Sequence, residues 1–156
     1  MLVYSFREID STQLFLKRLT KGIKPRLSYP IACLAKKQTR GYGRRGSRWE
    51  SDVGGLYFSL FIPRICGNMQ QRAAVAVAMC LDEQFSVDAQ IKWPNDVFVL
   101  GRKLAGVIIE AGDNGLVIGI GMNVNNNLEK GLGAIALKDI LGRGILVEGV
   151  FYSLLN

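Results

Sequence analysis

From residue 91 to residue 125 the chain passes through three apolar, β-prone runs separated by turns of a few residues, and nothing else in the sequence restricts the fold as much. The first run, Ile91-Lys92-Trp93-Pro94-Asn95-Asp96-Val97-Phe98-Val99-Leu100, reaches a tight turn at Leu100-Gly101-Arg102-Lys103. The second, Leu104-Ala105-Gly106-Val107-Ile108-Ile109-Glu110, is followed by a turn at Asp113-Asn114-Gly115. That turn leads into Leu116-Val117-Ile118-Gly119-Ile120-Gly121-Met122-Asn123-Val124-Asn125. Turns this short join antiparallel neighbours, because a parallel return needs a crossover of about a dozen residues or more. Pro94 withholds an N–H and keeps Trp93 extended, so the first run pauses there. Asn95 and Asp96 at the pause read as turn formers or as functional polar groups. Lys103 falls just past a turn, near a strand end. Gly106, among branched side chains, marks the close approach of another group, by expectation a ligand.

The rest of the chain adds helices and further strands to this meander. Residues 2–6 are a short β-prone run. Asp10, Ser11 and Thr12 offer capping side chains ahead of an amphipathic helix carrying Leu14, Phe15, Leu16 and Leu19. A helix start is also a good place to meet a carbonyl or carboxylate oxygen. A turn-rich connection over 22–30 leads to a buried strand over 29–35, and 56–62 reads as another strand. After a loop over 63–67, residues 69–85 form the longest helix, with Ala73, Ala74, Val77, Ala78 and Leu81 on a wide apolar face. A polar loop over 126–133 precedes two short helices, 134–140 and 147–155. The layout is α+β, a mixed and largely antiparallel sheet with packed helices. With 156 residues and 49% hydrophobic content, the chain suits a single domain with a real core.

Between the second and third strands lies Gln38-Thr39-Arg40-Gly41-Tyr42-Gly43-Arg44-Arg45-Gly46-Ser47-Arg48-Trp49. Lys36, Lys37, Arg40, Arg44, Arg45 and Arg48 place like charge together with no acidic residue among them. Such a loop suits a multiply charged anion and is expected to be mobile until one arrives. Its glycines permit positive φ and close backbone approach, and its arginines grip phosphate or carboxylate at two points. The spacing also matches G-x-G-x-x-G, but a strand follows where the dinucleotide fingerprint needs a helix. The reading is therefore a strand–loop–strand anion cradle. No Walker-type Gly-Lys-Ser/Thr loop occurs.

Composition removes several classes of function. With no histidine, His-based triads and most zinc sites are excluded. Cys33, Cys66 and Cys80 are odd in number and widely spaced, which favours free thiols, buried for Cys33 and Cys80, in a reducing cytoplasm. No apolar run is long enough to span a bilayer, and no signal-peptide pattern opens the chain. The net charge of +7 admits a nucleic-acid binder, yet helix-turn-helix, zinc-finger and RNP patterns are missing.

Taken together, Asp10-Ser11-Thr12-Gln13, the loop over 38–49, Lys92-Trp93-Pro94-Asn95-Asp96, Lys103-Leu104-Ala105-Gly106 and Gly119-Ile120-Gly121-Met122-Asn123-Val124-Asn125 resemble, in order and spacing, the catalytic domain of biotin–protein ligases. The resemblance runs from Tyr4 to about Leu141. It implies a biotinyl-lipoyl ligase-like fold, related to class II aminoacyl-tRNA synthetases, and a cytoplasmic enzyme. Biotin would be joined by ATP into biotinyl-5′-AMP and then passed to a lysine of a biotin carboxyl-carrier domain. No enzyme nucleophile is required, in keeping with the absence of histidine; cations that hold a carboxylate against a polyphosphate are.

On the same resemblance, Ser11, Thr12, Gln13 and Gln38 would bind biotin through the ureido ring and its surroundings. Gly41, Tyr42, Gly43 and Gly106 would line that pocket. Arg44 and Lys103 would be catalytic, acting on carboxylate and α-phosphate. Arg44, Arg45, Lys92, Asn95, Asp96 and Asn123 would bind ATP, whose magnesium would travel with it rather than occupy a fixed site. Trp49 and Trp93 are expected to anchor the fold rather than touch ligand.

Two departures stand out. Tyr42 replaces an arginine common at that place, and the chain ends at Asn156, where the family usually continues into a small β-barrel domain. No DNA-binding module precedes the first strand. Residues 1–156 are thus expected to form one catalytic domain with no DNA or membrane partner, its oligomeric state open and a homodimer included. A shortened paralogue that binds biotin or its adenylate without efficient transfer is the alternative. A lipoate ligase is disfavoured because its Arg-Arg-x-Ser-Gly-Gly-Gly stretch and His-Asp pair are missing.

Overall fold

In the computed structural model, residues 1–22, 28–63, 68–112, 115–129, 131 and 133–155 are described. In chain order the elements are β1 (Leu2–Phe6), α1 (Thr12–Thr20), β2 (Ile31–Ala35), β3 (Leu56–Ile62), α2 (Met69–Phe85), β4 (Gln90–Lys92), β5 (Asp96–Val99), β6 (Arg102–Gly112), β7 (Gly115–Met122), α3 (Leu137–Leu141) and α4 (Val147–Ser153). The turn expected at 113–115, the loop over 63–67 with Cys66, the connection over 22–30 and the loop over 126–133 each lie partly outside the described residues.

The strands form one seven-stranded sheet in the order β1-β2-β3-β7-β6-β5-β4. Every neighbouring pair is antiparallel except β1 and β2, between which α1 makes the crossover that a parallel pair demands. The meander closes as its short turns require. Leu100 and Gly101 link Val99 to Arg102 with φ of 51° and 71°, the positive values a two-residue hairpin takes. The pause at Pro94 separates β4 from β5, and the Trp93–Pro94 peptide is cis.

Alternate residues of the sheet serve opposite faces. Phe58, Leu104, Val107, Ile118, Ile120 and Met122 pack against Ala74, Val77 and Leu81 of α2 and Phe151 of α4, where the Phe58 and Phe151 rings meet edge-on at 5.2 Å. On the other face Cys33, Phe61 and Val117 pack with Leu16 of α1. Cys33 and Cys80 are buried free thiols, and burial pushes Cys33 up to about 12, so it remains an inert thiol.

Residues 134–136 depart from the helix expected over 134–140. Past Met122 the Asn123 N–H still donates to the Leu104 carbonyl at 2.9 Å, but the ladder to β7 then stops and leaves the Lys103 backbone groups without a partner from β7. The Lys103 N–H donates to the Gly133 carbonyl at 2.9 Å, and the Ile135 N–H donates to the Lys103 carbonyl at 3.0 Å. The segment is therefore extended there, and helix α3 starts only at Leu137. Among the described residues no helix is long and apolar enough to cross a membrane.

Candidate functional site

The strand register builds a floor of small residues on the α1 face of the sheet. Ser59, Gly119 and Ile108 are cross-strand partners in one row. Two residues further along, Gly121, Gly106 and Asp96 form the next. Without side chains at Gly106, Gly119 and Gly121, the sheet leaves room for a cavity of about 520 Å³ between this floor, α1 and the loop over 38–49.

The end under α1 is polar and neutral. Ser11 caps α1, its Oγ accepting from the Leu14 N–H at 3.4 Å. Thr12 reaches across to the hairpin and the sheet. Its N–H donates to Gln38 Oε1 at 2.9 Å, and its hydroxyl shares a 2.9 Å hydrogen bond with Ser59. Gln38 Nε2 donates to Ser51 Oγ at 2.9 Å, which fixes which way the amide faces. Gln13 Nε2 donates to the Val117 carbonyl at 2.9 Å, while its buried Oε1 has no partner among the described residues and faces Gly119. An orphaned acceptor in a cavity wall is suited to an N–H of a bound molecule.

The loop is a hydrogen-bonded hairpin lying across the cavity. The Trp49 N–H donates to the Gly41 carbonyl at 3.0 Å and the Gly43 N–H to the Ser47 carbonyl at 2.7 Å. At the tip, Arg45 and Gly46 have φ of 57° and 74°, so Arg45 sits in a left-handed conformation that costs a non-glycine residue about 1 kcal/mol. Trp49 lies on the glycine floor so closely that a Cβ at Gly121 would come 2.5 Å from Nε1. The close approach expected at Gly106 is made by this same ring.

The cationic end forms where the hairpin meets β5 and β6. Arg44 Nη1 donates to Asn95 Oδ1 at 3.1 Å, and Asn95 Nδ2 donates to Asp96 Oδ1 at 3.1 Å. Lys103 Nζ is 2.8 Å from the same Asp96 oxygen and lies 5.2 Å from the centre of the Trp49 ring. Two cations are thus held by neutral and acidic partners at one end of a cavity whose other end is uncharged. Such a site receives a molecule with a polar, uncharged head and an anionic tail.

Ser11, Thr12, Gln13, Gln38, Tyr42, Gly43, Arg44, Asn95, Asp96, Lys103, Gly106 and Asn123 all line the one cavity. Three of the expected site residues lie off its wall. Gly41 is small because Ser51 and the Trp49 carbonyl crowd its Cα, so its reason is packing. Arg45 is exposed at the strained tip, and Lys92 lies over the Phe98 ring at 5.1 Å on an exposed strand. Trp93 is 78% exposed, so it does not anchor the fold, whereas Trp49 does so and also lines the cavity. Sequence reasoning missed Ser59, Gly119 and Gly121 as site residues. The signal was there: a lone hydroxyl in a buried strand, and glycines alternating with isoleucines at the two-residue period of one sheet face.

The sequence signature of the biotin/lipoate A/B protein ligase family matches residues 5–127. The chain belongs to that family. It is 36% identical over 128 residues to the bifunctional ligase/repressor BirA of Salmonella typhimurium, a match over 74% of this chain and 38% of that protein. It is 30% identical to the biotin–[acetyl-CoA-carboxylase] ligase of Paracoccus denitrificans over 127 residues, covering 74% of this chain and 51% of that protein. The chain therefore spans from about two fifths to half the length of these relatives. Among solved structures, the biotin protein ligase of Aquifex aeolicus in complex with biotin and ATP superposes with a TM-score of 0.86 at 34% identity, covering 99% of this chain and 67% of that one. The mixed sheet and its helices are the family's catalytic fold.

Proposed function

We propose that residues 1–156 act as the catalytic domain of a biotin–protein ligase. In this reading biotin is activated with ATP to biotinyl-5′-AMP in the cytoplasm and passed to a lysine of a biotin carboxyl-carrier domain, with neither DNA nor a membrane taking part. One observation carries the reading: a single cavity joins a neutral hydrogen-bonding end at Thr12, Gln13 and Gln38 to a cationic end at Arg44 and Lys103. Biotin has that polarity, a ureido ring at one end and a carboxylate at the other. The orphaned Gln13 Oε1 suits a ureido N–H, and Ser11, Thr12 and Gln38 surround the same head group. Tyr42, Gly43 and Gly106 wall the pocket.

In the first step a biotin carboxylate oxygen attacks the α-phosphorus of ATP, and the bond to pyrophosphate breaks as pyrophosphate leaves with the electron pair. Lys103 and Arg44 offset the repulsion between carboxylate and triphosphate and stabilise charge on the α-phosphate. Asn95 orients Arg44, and Asp96 orients Lys103. In the second step the neutral amine of the carrier lysine attacks the acyl carbon, the bond to AMP breaks, and the amine proton is lost to solvent. Asn123, on the cavity wall, is read as the contact to the adenine edge. Magnesium would enter on the triphosphate, where Asp96, a carboxylate of this wall paired with Lys103, could meet it. Arg45 and Lys92, off the wall, are left as contacts to the outer phosphates.

The test is incubation with biotin, MgATP and a biotin-carrier domain. Pyrophosphate release and a biotinylated carrier are expected. Tight biotin binding without pyrophosphate release would support the shortened paralogue that binds without transferring, and the absence of both labelled carrier and adenylate would reject the ligase. Competition between biotin and lipoate in calorimetry should favour biotin.

A further inference from the structure

The chemistry above leaves Glu110 and Lys17 without a part, yet both bear on the cavity through Tyr42. Glu110 lies on β6 two residues beyond Ile108, on the same face as the glycine floor and at the α1 end. Its Oε2 accepts from the Tyr42 hydroxyl at 2.6 Å, and its Oε1 pairs with Lys17 Nζ of α1 at 2.9 Å. Tyr42 lines the cavity and bridges to Arg48 within the hairpin, so one hydrogen bond ties the hairpin's first arm to the sheet. At its far side the hairpin is tied a second time, by Arg44 to Asn95. The hairpin thus spans the cavity between these two side-chain ties, its base held by the Thr39 and Arg40 N–H groups donating to the Ile9 and Asp10 carbonyls and its second arm by Trp49 on the glycine floor.

We propose that Glu110 is a positioning residue. Fixed by Lys17, its carboxylate holds the Tyr42 ring as the end wall of the cavity and sets how the hairpin lies over the bound acid. The inference rests on the biotin-ligase reading for the identity of that acid. The tether is well made for the purpose. Burial first, and the bond to Glu110 second, push the Tyr42 phenol up. Burial alone would raise Glu110, but hydrogen bonds from Tyr42, Lys17 and Gln13, with the charge of Lys17, outweigh this and hold it down. Donor and acceptor therefore keep their roles around neutral pH, in a short charge-assisted bond.

Tyr42→Phe and Glu110→Ala each break this bond, and Glu110→Gln keeps an acceptor in the same place. In calorimetry the dissociation constant for biotin should rise about ten- to a hundredfold in Tyr42→Phe and in Glu110→Ala. The double variant should be hardly worse than either, since both remove one interaction. Glu110→Gln should recover most of the affinity. At saturating biotin the adenylation rate of the two Glu110 variants should stay within about threefold, because Glu110 lies behind the wall and does not touch the reacting atoms. Trypsin should cut the free protein at Arg45 and Arg48 about tenfold faster in the two breaking variants. Additive losses, or unchanged affinity and cleavage, would overturn the tether. Should the unmutated protein bind no biotin, the ligase reading falls, and equal or faster cleavage in Tyr42→Phe still decides whether the tether exists.

Discussion

Replacing Lys103 by methionine separates the catalytic role proposed for the residue from what it does for the fold. Methionine keeps most of the length of the side chain and deletes its charge. The Lys103–Asp96 pair is about two-thirds buried, so its loss should cost about 1 kcal/mol at most. Asp96 keeps the Asn95 Nδ2 hydrogen bond at 3.1 Å, and the strand keeps both backbone bonds at Lys103 to residues 133 and 135. For a chain of this size, 1 kcal/mol lowers the melting temperature by about 2–4 °C. The chemical step should suffer far more. Removing one pre-placed group that stabilises developing charge costs about 10²–10³ in rate, roughly 3–4 kcal/mol. Pyrophosphate release with biotin and MgATP, measured beside a melt followed by circular dichroism, compares the two effects in the same protein. Near-normal turnover, or a drop in melting temperature of about ten degrees or more, would refute the role given to Lys103.

Other perturbations reach the remaining parts of the site. Arg44→Ala removes the hairpin's anchor to Asn95, so dissociation of biotinyl-adenylate should speed up about tenfold or more while biotin affinity changes less than about threefold, as chase experiments and calorimetry would read. Gly121→Ala would push a methyl into the Trp49 ring, and the expected result is a shift in Trp49 fluorescence with loss of biotin binding in a protein that still folds. Leu100, 75% exposed with φ of 51°, holds a left-handed position that asparagine adopts readily, so Leu100→Asn should raise the melting temperature by about 2–4 °C with adenylation unchanged.

Much of the molecule was open to inference because the deciding interactions are local. The hairpin at Leu100-Gly101, the α1 start at Ser11 and the apolar face of α2 are set by positive φ, capping and helical period, all of which a linear string records. The stretches that hold Thr12, Gln38, Asn95, Asp96 and Lys103 kept the order and spacing of a known family, and that resemblance carried the expected roles of these residues.

What stayed hidden depends on register and on partners remote in the chain. That residues 134–136 run extended follows from backbone groups left unpaired where β7 stops, a fact about β6 and not about residues 134–136 themselves. Lys92 and Arg45 share the charge of Lys103 and Arg44, but neither reaches the cavity wall: Lys92 pairs with Asp96 one strand further out, its Nζ over the Phe98 ring, and Arg45 sits exposed at the hairpin tip. Glycines 106, 119 and 121 become a floor only once β6 and β7 are aligned, and Tyr42 finds Glu110 only once the hairpin folds over that floor. The sequence by itself determined the strands, turns and chemical types, since those follow from each residue and its near neighbours. The tertiary structure alone decided which of those side chains meet across one cavity, because that depends on distances between segments that no neighbour along the chain can set.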